Sequence, residues 1–168
     1  MPQVPSPVFA TVAIGVLVAT VVDIRTRRIP NDLTATMAGI GVGLAATGIS
    51  GVPLWASMLG FAIGLALMMP GHLLGATGAG DVKLMAAVGA IVGPAVVVSA
   101  FLFTAIAGGV LAVVVALRRR RLAATFEGAG RLIAGSGVTH EIRAASPASR
   151  FAYGPAIAVG SIAALLVG

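Results

Sequence analysis

The sequence predicts an all-α integral membrane protein, a single bundle of six transmembrane helices. Of its 168 residues, 58% are hydrophobic and 10% are charged, and the mean hydropathy is +1.07. A soluble domain carries about 25% charged residues. Residues 33–80 contain no Asp, Glu, Lys or Arg, and roughly 20 consecutive apolar residues suffice to cross a bilayer. A lipid bilayer is therefore the expected surrounding of this chain.

Six apolar stretches define the predicted helices. The run from residue 82 to 117 is too long for one span and must turn. Gly93-Pro94 marks the break, because proline lacks a backbone donor and disfavours helix in the residue before it. The fourth span is the shortest and must borrow from the Gly-rich stretch that precedes it. The predicted spans are Val8–Val22, Leu33–Ile49, Val52–Met69, Val82–Val92, Ala95–Leu117 and Phe151–Val167.

The positions of the charges orient the predicted bundle. With six helices, all eleven basic residues fall on one side, whereas the connections at residues 48–51 and 93–94 carry no charge. The positive-inside rule places the basic side in the cytoplasm and both termini outside. Residues 1–168 then form one membrane-embedded domain, in which residues 118–150 are a cytoplasmic loop with room for an interfacial helix.

Composition also excludes several classes of function. The chain has no cysteine, which removes disulfides, thiolate metal sites and cysteine nucleophiles. His72 and His140 are too few and too far apart for a metal site. The basic residues lie beside apolar spans rather than on a polar domain with stacking aromatics, so a nucleic-acid partner is not expected. We expect neither a metal nor a cofactor.

Two of the five acidic residues lie at the ends of apolar spans, where an ionised carboxylate is costly. Asp23 ends the first span and Asp81 begins the fourth, and the six-helix topology puts both on the cytoplasmic side. Two carboxyl groups brought together in a partly desolvated place share one proton and titrate as a unit. The ionised member can activate water while the protonated member polarises a carbonyl, which is aspartic peptidase chemistry without a cofactor.

Two sequence motifs surround these aspartates. Residues 78–84 read GAGDVKL, in which the two glycines leave room for an extended substrate backbone, and residues 23–31 read DIRTRRIPN. The pair resembles the motifs of the type IV prepilin peptidases, which are GxGD aspartic peptidases. Residues 153–155, Tyr-Gly-Pro, are similar to the Phe-Gly-Pro element at the start of that family's last helix.

The resemblance implies a membrane-bound endopeptidase of the cytoplasmic membrane with a prepilin as its substrate. Such a substrate has a short basic leader followed by a hydrophobic helix and is cut at their junction on the cytoplasmic face. The chain begins almost directly at its first helix, so it resembles the short form found in Tad/Flp pilus systems. We expect no methyltransferase activity. The implied catalytic residues are Asp23 and Asp81, with Gly78, Gly80, Lys83, Arg25, Pro30 and Asn31 as active-site support.

Each motif residue also has a structural interpretation. Asp23 can be a headgroup-level acid paired with a nearby arginine, and Asp81 can cap the fourth helix. The glycines can serve close helix packing. Lys83 lies two residues from Asp81, a spacing that does not share a helix face, and we interpret it as an interfacial, snorkelling side chain. Pro30-Asn31 is interpreted as a turn and cap that begins the second helix and positions Asp23.

The alternative function is a small proton-coupled transporter or channel, since intramembrane acids also relay protons. Acids in transporters lie near the bilayer midplane, often on broken helices within repeated halves. Both aspartates here are at helix ends, and no repeat is visible. A catalytically silent assembly protein is the third interpretation, and an intact pair of aspartates argues against it.

Overall fold

The computed structural model describes residues 5–118 and 153–167, and this part of the chain is entirely helical apart from short connections. An all-α fold is therefore confirmed for the described residues. The predicted interfacial helix within residues 118–150 lies outside them, apart from residue 118. The helices are α1 (Ser6–Thr26), α2 (Asn31–Ala46), α3 (Leu54–Leu73), α4 (Ala79–Val92), α5 (Pro94–Arg118) and α6 (Gly154–Val167).

The break predicted between the fourth and fifth helices is confirmed. Gly93 adopts φ +81, a conformation open to glycine, and Pro94 is the first residue of α5. As expected, α4 takes its first turn from the Gly-rich stretch and begins at Ala79. The first three residues of α4, 79–81, therefore lengthen the helix, although they are not part of the apolar run that predicted it.

Besides the start of α4, four helix boundaries differ from the prediction by three or four residues. The first helix continues past Val22 to Thr26, and the last described helix begins at Gly154 instead of Phe151. The second helix ends at Ala46 instead of Ile49, because the connection that follows uses positive φ at Gly48 and Gly51. The third helix passes through Pro70 and ends at Leu73 instead of Met69. Hydrophobicity alone locates such ends only approximately, since the turn and the last helical residues are as apolar as the helix itself.

Helix α4 occupies the centre of the bundle. Eleven of its 14 residues are buried, and it contacts each of the other five described helices. Around it, contacts run from α1 to α2, α2 to α3, α3 to α5, α5 to α6, and α6 back to α1, which closes a ring. A helix that is apolar on every side is expected in such a position. The N-terminal end of α4 carries Asp81.

Small residues allow α3 to approach the central helix closely. Gly60 and Gly89 face each other so tightly that a Cβ on either would meet the backbone carbonyl of the other. A Cβ on Gly64 would likewise meet the backbone of Met85. The buried Ser57 hydroxyl donates a 2.6 Å hydrogen bond to the carbonyl oxygen of Ala90. Close backbone contact with interhelical hydrogen bonding is the packing mode of membrane helices.

The outer surface of the bundle is apolar. Large side chains such as Ile14, Leu17 and Ile106 are more than half exposed, which a membrane protein tolerates because lipid covers them. Three helices are long and apolar enough to cross a membrane, namely Ser6–Thr26, Leu54–Leu73 and Pro94–Val114. These helices identify the chain as a membrane protein.

Candidate active site

Asp23 lies in the last turn of α1 and is buried, with 6% of its surface exposed. Its Oδ2 accepts a 3.0 Å hydrogen bond from the backbone N–H of Gly154, the first residue of α6. A Cβ on Gly154 would stand 2.9 Å from that same oxygen. The first residue of α6 must therefore be glycine for the backbone to come this close to the carboxyl group.

Asp81 is equally buried, at 6% exposure, and lies in the first turn of α4. Its Oδ2 accepts a 2.8 Å hydrogen bond from the backbone N–H of Gly78. The structural interpretation in which Asp81 itself caps α4 is wrong in detail. Gly78 is the capping position, and Asp81 is the third helical residue, whose side chain reaches back to it. This satisfies one of the free N–H groups at the helix start and places a negative charge where the helix dipole favours it.

The two carboxyl groups belong to one cluster. Asp23 and Asp81 interact electrostatically, and Asp81 also interacts with the Tyr153 side chain, which immediately precedes Gly154. Burial raises the pKa of the Tyr153 hydroxyl, and the Asp81 charge raises it further, so this phenol stays neutral at physiological pH. The end of α1, the start of α4 and the start of α6 therefore meet at one end of the bundle.

The glycines of the GAGD motif have separate roles in the structure. A Cβ on Gly78 would lie 3.1 Å from Oδ2 of Asp81, so this position keeps space open beside the carboxyl group. A Cβ on Gly80 would instead meet Ile29, at 2.9 Å from its Cβ and 3.3 Å from its backbone nitrogen. The space at Gly80 is thus filled by the protein itself and is not left free for a substrate backbone.

Ile29 connects the two sequence motifs physically. It is buried in the connection between α1 and α2, with 8% exposure, and it belongs to the hydrophobic core. Because it packs on Gly80, one residue before Asp81, the connection that follows Asp23 is fixed against the start of α4. The D-x-R-x-x-x-I-P-N and GxGD motifs therefore form one packed unit.

Asn31 and Lys83 contact each other. The Nζ of Lys83 donates a 2.8 Å hydrogen bond to Oδ1 of Asn31, which joins the start of α2 to α4. The interpretation of Asn31 as a helix cap is wrong. Pro30 is the capping position, without a side-chain hydrogen bond, and Asn31 is the first helical residue. The side-chain amide oxygen of Asn31 accepts the hydrogen bond from Lys83 instead. The Lys83 side chain is therefore held by a polar contact within the protein, which the interpretation as a snorkelling side chain did not include.

Arg25 is exposed in the last turn of α1. It lies two residues after Asp23, a spacing that places the side chains on different faces of the helix. Of the residues predicted to support the site, Gly78 is beside Asp81, and Gly80, Lys83 and Asn31 lie around the start of α4. Arg25 faces away from this cluster.

Sequence reasoning missed two contributors. Gly154 was noted only as part of a Tyr-Gly-Pro element, whereas the structure makes its N–H the hydrogen-bond donor to Asp23. Gly108 of α5 lies against Tyr153, since a Cβ there would stand 2.6 Å from the tyrosine hydroxyl. The element was the available signal for Gly154. No local pattern marks Gly108, because its partner is 45 residues away in the sequence.

The sequence profile of the type IV leader peptidase family matches residues 10–113. This range covers more than half of the chain and includes both aspartates. The chain belongs to the type IV leader peptidase family. No curated protein and no solved structure matches the chain, so the profile alone supports the assignment.

Family membership gives this leader peptidase its general activity, the cleavage of leader peptides from prepilin-type substrates. The match extends from α1 through most of α5 and ends before α6, which supplies the N–H group that holds Asp23. The two motif regions that the structure packs together, residues 23–31 and 78–84, are both inside the matched range. In this leader peptidase they lie at one end of the bundle.

Proposed function

We propose that the chain is an aspartic endopeptidase that removes the leader peptide of Tad/Flp-type prepilins, with Asp23 and Asp81 as its catalytic pair. The observation that carries the proposal is the burial of both carboxyl groups at one end of the bundle, where Ile29, from the connection that follows Asp23, packs on Gly80, the residue before Asp81. Two like charges in a desolvated place do not both ionise easily. A pair that holds one proton between its members has both the base and the acid that peptide hydrolysis needs.

In the proposed mechanism, the ionised aspartate accepts a proton from water, and the water oxygen bonds to the scissile carbonyl carbon. The protonated aspartate donates its proton to the carbonyl oxygen, which gives a neutral tetrahedral intermediate. When the intermediate collapses, the C–N bond breaks. The first aspartic acid then gives its proton to the leaving amine, and the second carboxylate recovers its proton from the intermediate. One water molecule is consumed and the starting protonation is restored.

Backbone hydrogen bonds support this chemistry by fixing the carboxyl groups. Oδ2 of Asp23 is held by Gly154 and Oδ2 of Asp81 by Gly78. Each bond restrains a side chain that would otherwise rotate about two single bonds. Reaction rates depend steeply on such positioning, since a displacement of about 1 Å can cost about a hundredfold. Both donors are backbone groups of glycines, so the supports themselves add no titratable group.

We further propose that all six helices cross the membrane as one domain, with the aspartates on the cytoplasmic side. Lys83 lies at the same end of the bundle as the aspartates, and the arginines at positions 25, 27 and 28 close α1 there. The uncharged turns share the opposite end, where Val52 packs against Gly93. The positive-inside rule then assigns the aspartate end to the cytoplasm, where a basic leader is located.

Helices α2, α4 and α6 have 16, 14 and 14 residues, which corresponds to lengths of about 21 to 24 Å. The hydrocarbon core is about 30 Å thick. Local thinning of the bilayer accommodates short helices at modest cost. Because α4 is surrounded by protein, its ends need not reach the lipid headgroups.

The test is cleavage of a Tad/Flp-type prepilin co-expressed with the wild type, Asp23→Asn or Asp81→Asn, followed by immunoblotting of both proteins. Leader removal is expected with the wild type alone. Asp32→Asn is the matched control, because Asp32 is an exposed acid in the first turn of α2, and it should retain cleavage. A mature pilin band with either Asp23→Asn or Asp81→Asn would refute the assignment of the pair.

A further inference from the structure

One peptide group beside the candidate active site is hydrogen-bonded at both of its ends. The N–H of Gly78 donates to Oδ2 of Asp81 at 2.8 Å. The carbonyl oxygen of Thr77, which belongs to the same planar amide, lies 3.2 Å from Nδ1 of His72. A single rigid unit therefore joins the His72 side chain to the Asp81 carboxyl group.

The contact determines which nitrogen of His72 carries a proton. A carbonyl oxygen can only accept a hydrogen bond, so Nδ1 must be the donor. A donor at the oxygen of an amide polarises it and strengthens the bond that its N–H makes at the other end. Because the amide is planar, a donor that fixes the carbonyl direction also fixes the N–H direction. Both effects favour the hydrogen bond to Asp81.

Local backbone structure brings His72 to this place. His72 lies in the last turn of α3, and the backbone then turns back toward it, with Gly75 at φ +76. The N–H groups of Ala76 and Thr77 both donate to the carbonyl oxygen of Gly71, at 2.8 and 3.2 Å. His72 and Thr77 are half-buried, and His72 also interacts electrostatically with the Asp81 carboxyl group.

We propose that His72 is a positioning residue of the peptidase, which holds the Thr77–Gly78 peptide so that the Gly78 N–H stays on Oδ2 of Asp81 during the reaction. This inference rests on the proposed function. With Oδ2 fixed by the backbone, the second oxygen of Asp81 is the one that is available to water or to the scissile carbonyl. The sequence alone gave His72 no role, because its connection to Asp81 passes through the backbone.

The experiment compares purified full-length wild type with His72→Asn and His72→Phe in detergent micelles, using a prepilin substrate. Asparagine keeps an N–H donor at the same number of bonds from Cβ as Nδ1, whereas phenylalanine keeps the ring but has no donor. For His72→Phe we expect kcat to fall about tenfold, the size of one hydrogen bond's contribution, with KM unchanged. His72→Asn should recover most of the kcat.

Thermal unfolding of each variant separates positioning from simple closure of the turn. If His72 only closed the turn, His72→Phe would lose stability without a selective loss of kcat, and His72→Asn, which keeps the donor to Thr77, would resemble the wild type in both measurements. A wild-type kcat for His72→Phe, or equal losses of kcat for both variants, would overturn the inference. Asp81→Asn, measured beside them, tests the proposed function separately. If that variant still cleaves, the catalytic assignment fails, whatever the His72 variants do.

Discussion

The backbone N–H of Gly154 donates a hydrogen bond of 3.0 Å to Oδ2 of Asp23 across 131 positions of sequence. A methyl group at Gly154 would stand 2.9 Å from this oxygen and 3.1 Å from the Cβ of Asp23, closer than van der Waals contact allows. We therefore expect Gly154→Ala to displace the carboxyl group and to reduce prepilin cleavage by about a hundredfold. Initial rates of leader removal by the purified variant measure the effect.

Gly39→Ala is the control for this prediction. Gly39 is also a helical glycine, and a Cβ there meets nothing within 4 Å, so its rate should equal that of the wild type. Equal rates for Gly154→Ala and Gly39→Ala would show that the Gly154 contact does not position Asp23.

Two consecutive glycines of α5 provide a second, internally matched prediction. A Cβ on Gly108 would lie 2.6 Å from the Tyr153 hydroxyl, whereas a Cβ on Gly109 would meet nothing within 4 Å. Gly108→Ala must push Tyr153 away, and Gly154 follows it directly in the chain. We expect Gly108→Ala to lower the cleavage rate about tenfold or more, and Gly109→Ala to leave it unchanged. The same loss in both variants would contradict the inference that Gly108 affects the position of Asp23 through Tyr153 and Gly154.

The two motif glycines should differ in what their alanine variants lose. Ala at position 80 collides with the side chain and backbone of Ile29, so Gly80→Ala must separate α4 from the connection after α1. We expect it to destabilise the protein by about 1 to 3 kcal/mol, as overpacking does, and to reduce activity. Ala at position 78 meets only the Asp81 carboxyl group, and the backbone there, at φ −77 and ψ 154, accepts alanine without strain.

Gly78→Ala is therefore expected to lower the cleavage rate with little change in the thermal unfolding temperature. Unfolding in detergent and cleavage assays on the same preparations distinguish the two variants. Finding that Gly78→Ala is as unstable as Gly80→Ala would contradict the separate roles of the two glycines.

The hydrogen bond between Lys83 and Asn31 connects α4 to the start of α2, but both side chains are exposed. Polar contacts in exposed positions contribute less than about 1 kcal/mol. A double-mutant cycle with Lys83→Met and Asn31→Ala should therefore give a small coupling free energy in thermal or denaturant unfolding. A coupling above about 2 kcal/mol would mean that this contact, and not the packing of Ile29, holds the two motifs together.

Much of the fold could be predicted because each helix is continuous in the sequence. Uncharged apolar runs located all six helices of the described residues, and Gly93-Pro94 located the break between α4 and α5, since both residues impose their conformation locally. Helix ends such as Ala46 and Leu73 were missed because the residues beyond them are no more polar. The hydrophobicity of a residue reports whether lipid or protein surrounds it. These surroundings are the same for a helix end and for the turn that follows it, so hydrophobicity does not mark the boundary.

The two aspartates could be predicted from the scarcity of acids and from the motifs around them. Their hydrogen-bond partners could not. The N–H of Gly78 is three residues from Asp81, whereas the structural interpretation from the sequence made Asp81 itself the capping residue. The partner of Asp23 comes from the other end of the chain, and the role of Gly80 depends on Ile29, which packs there only once α1, α2 and α4 have assembled. Such contacts follow from tertiary structure and leave no periodic signal.

The hydrogen-bond donor to Asp23 is located late in the sequence, at Gly154, and this position has a consequence for biosynthesis. Helices enter the membrane in the order in which the ribosome delivers them, and Gly154 begins the last of the described helices. A nascent chain that has been translated only through α5 contains both aspartates, yet its first carboxyl group has not met the amide that restrains it. Under the proposed assignment of Asp23 as a catalytic residue, competence for cleavage is acquired late, when α6 joins the ring, and a partly synthesised polypeptide does not yet present a finished hydrolase to neighbouring proteins.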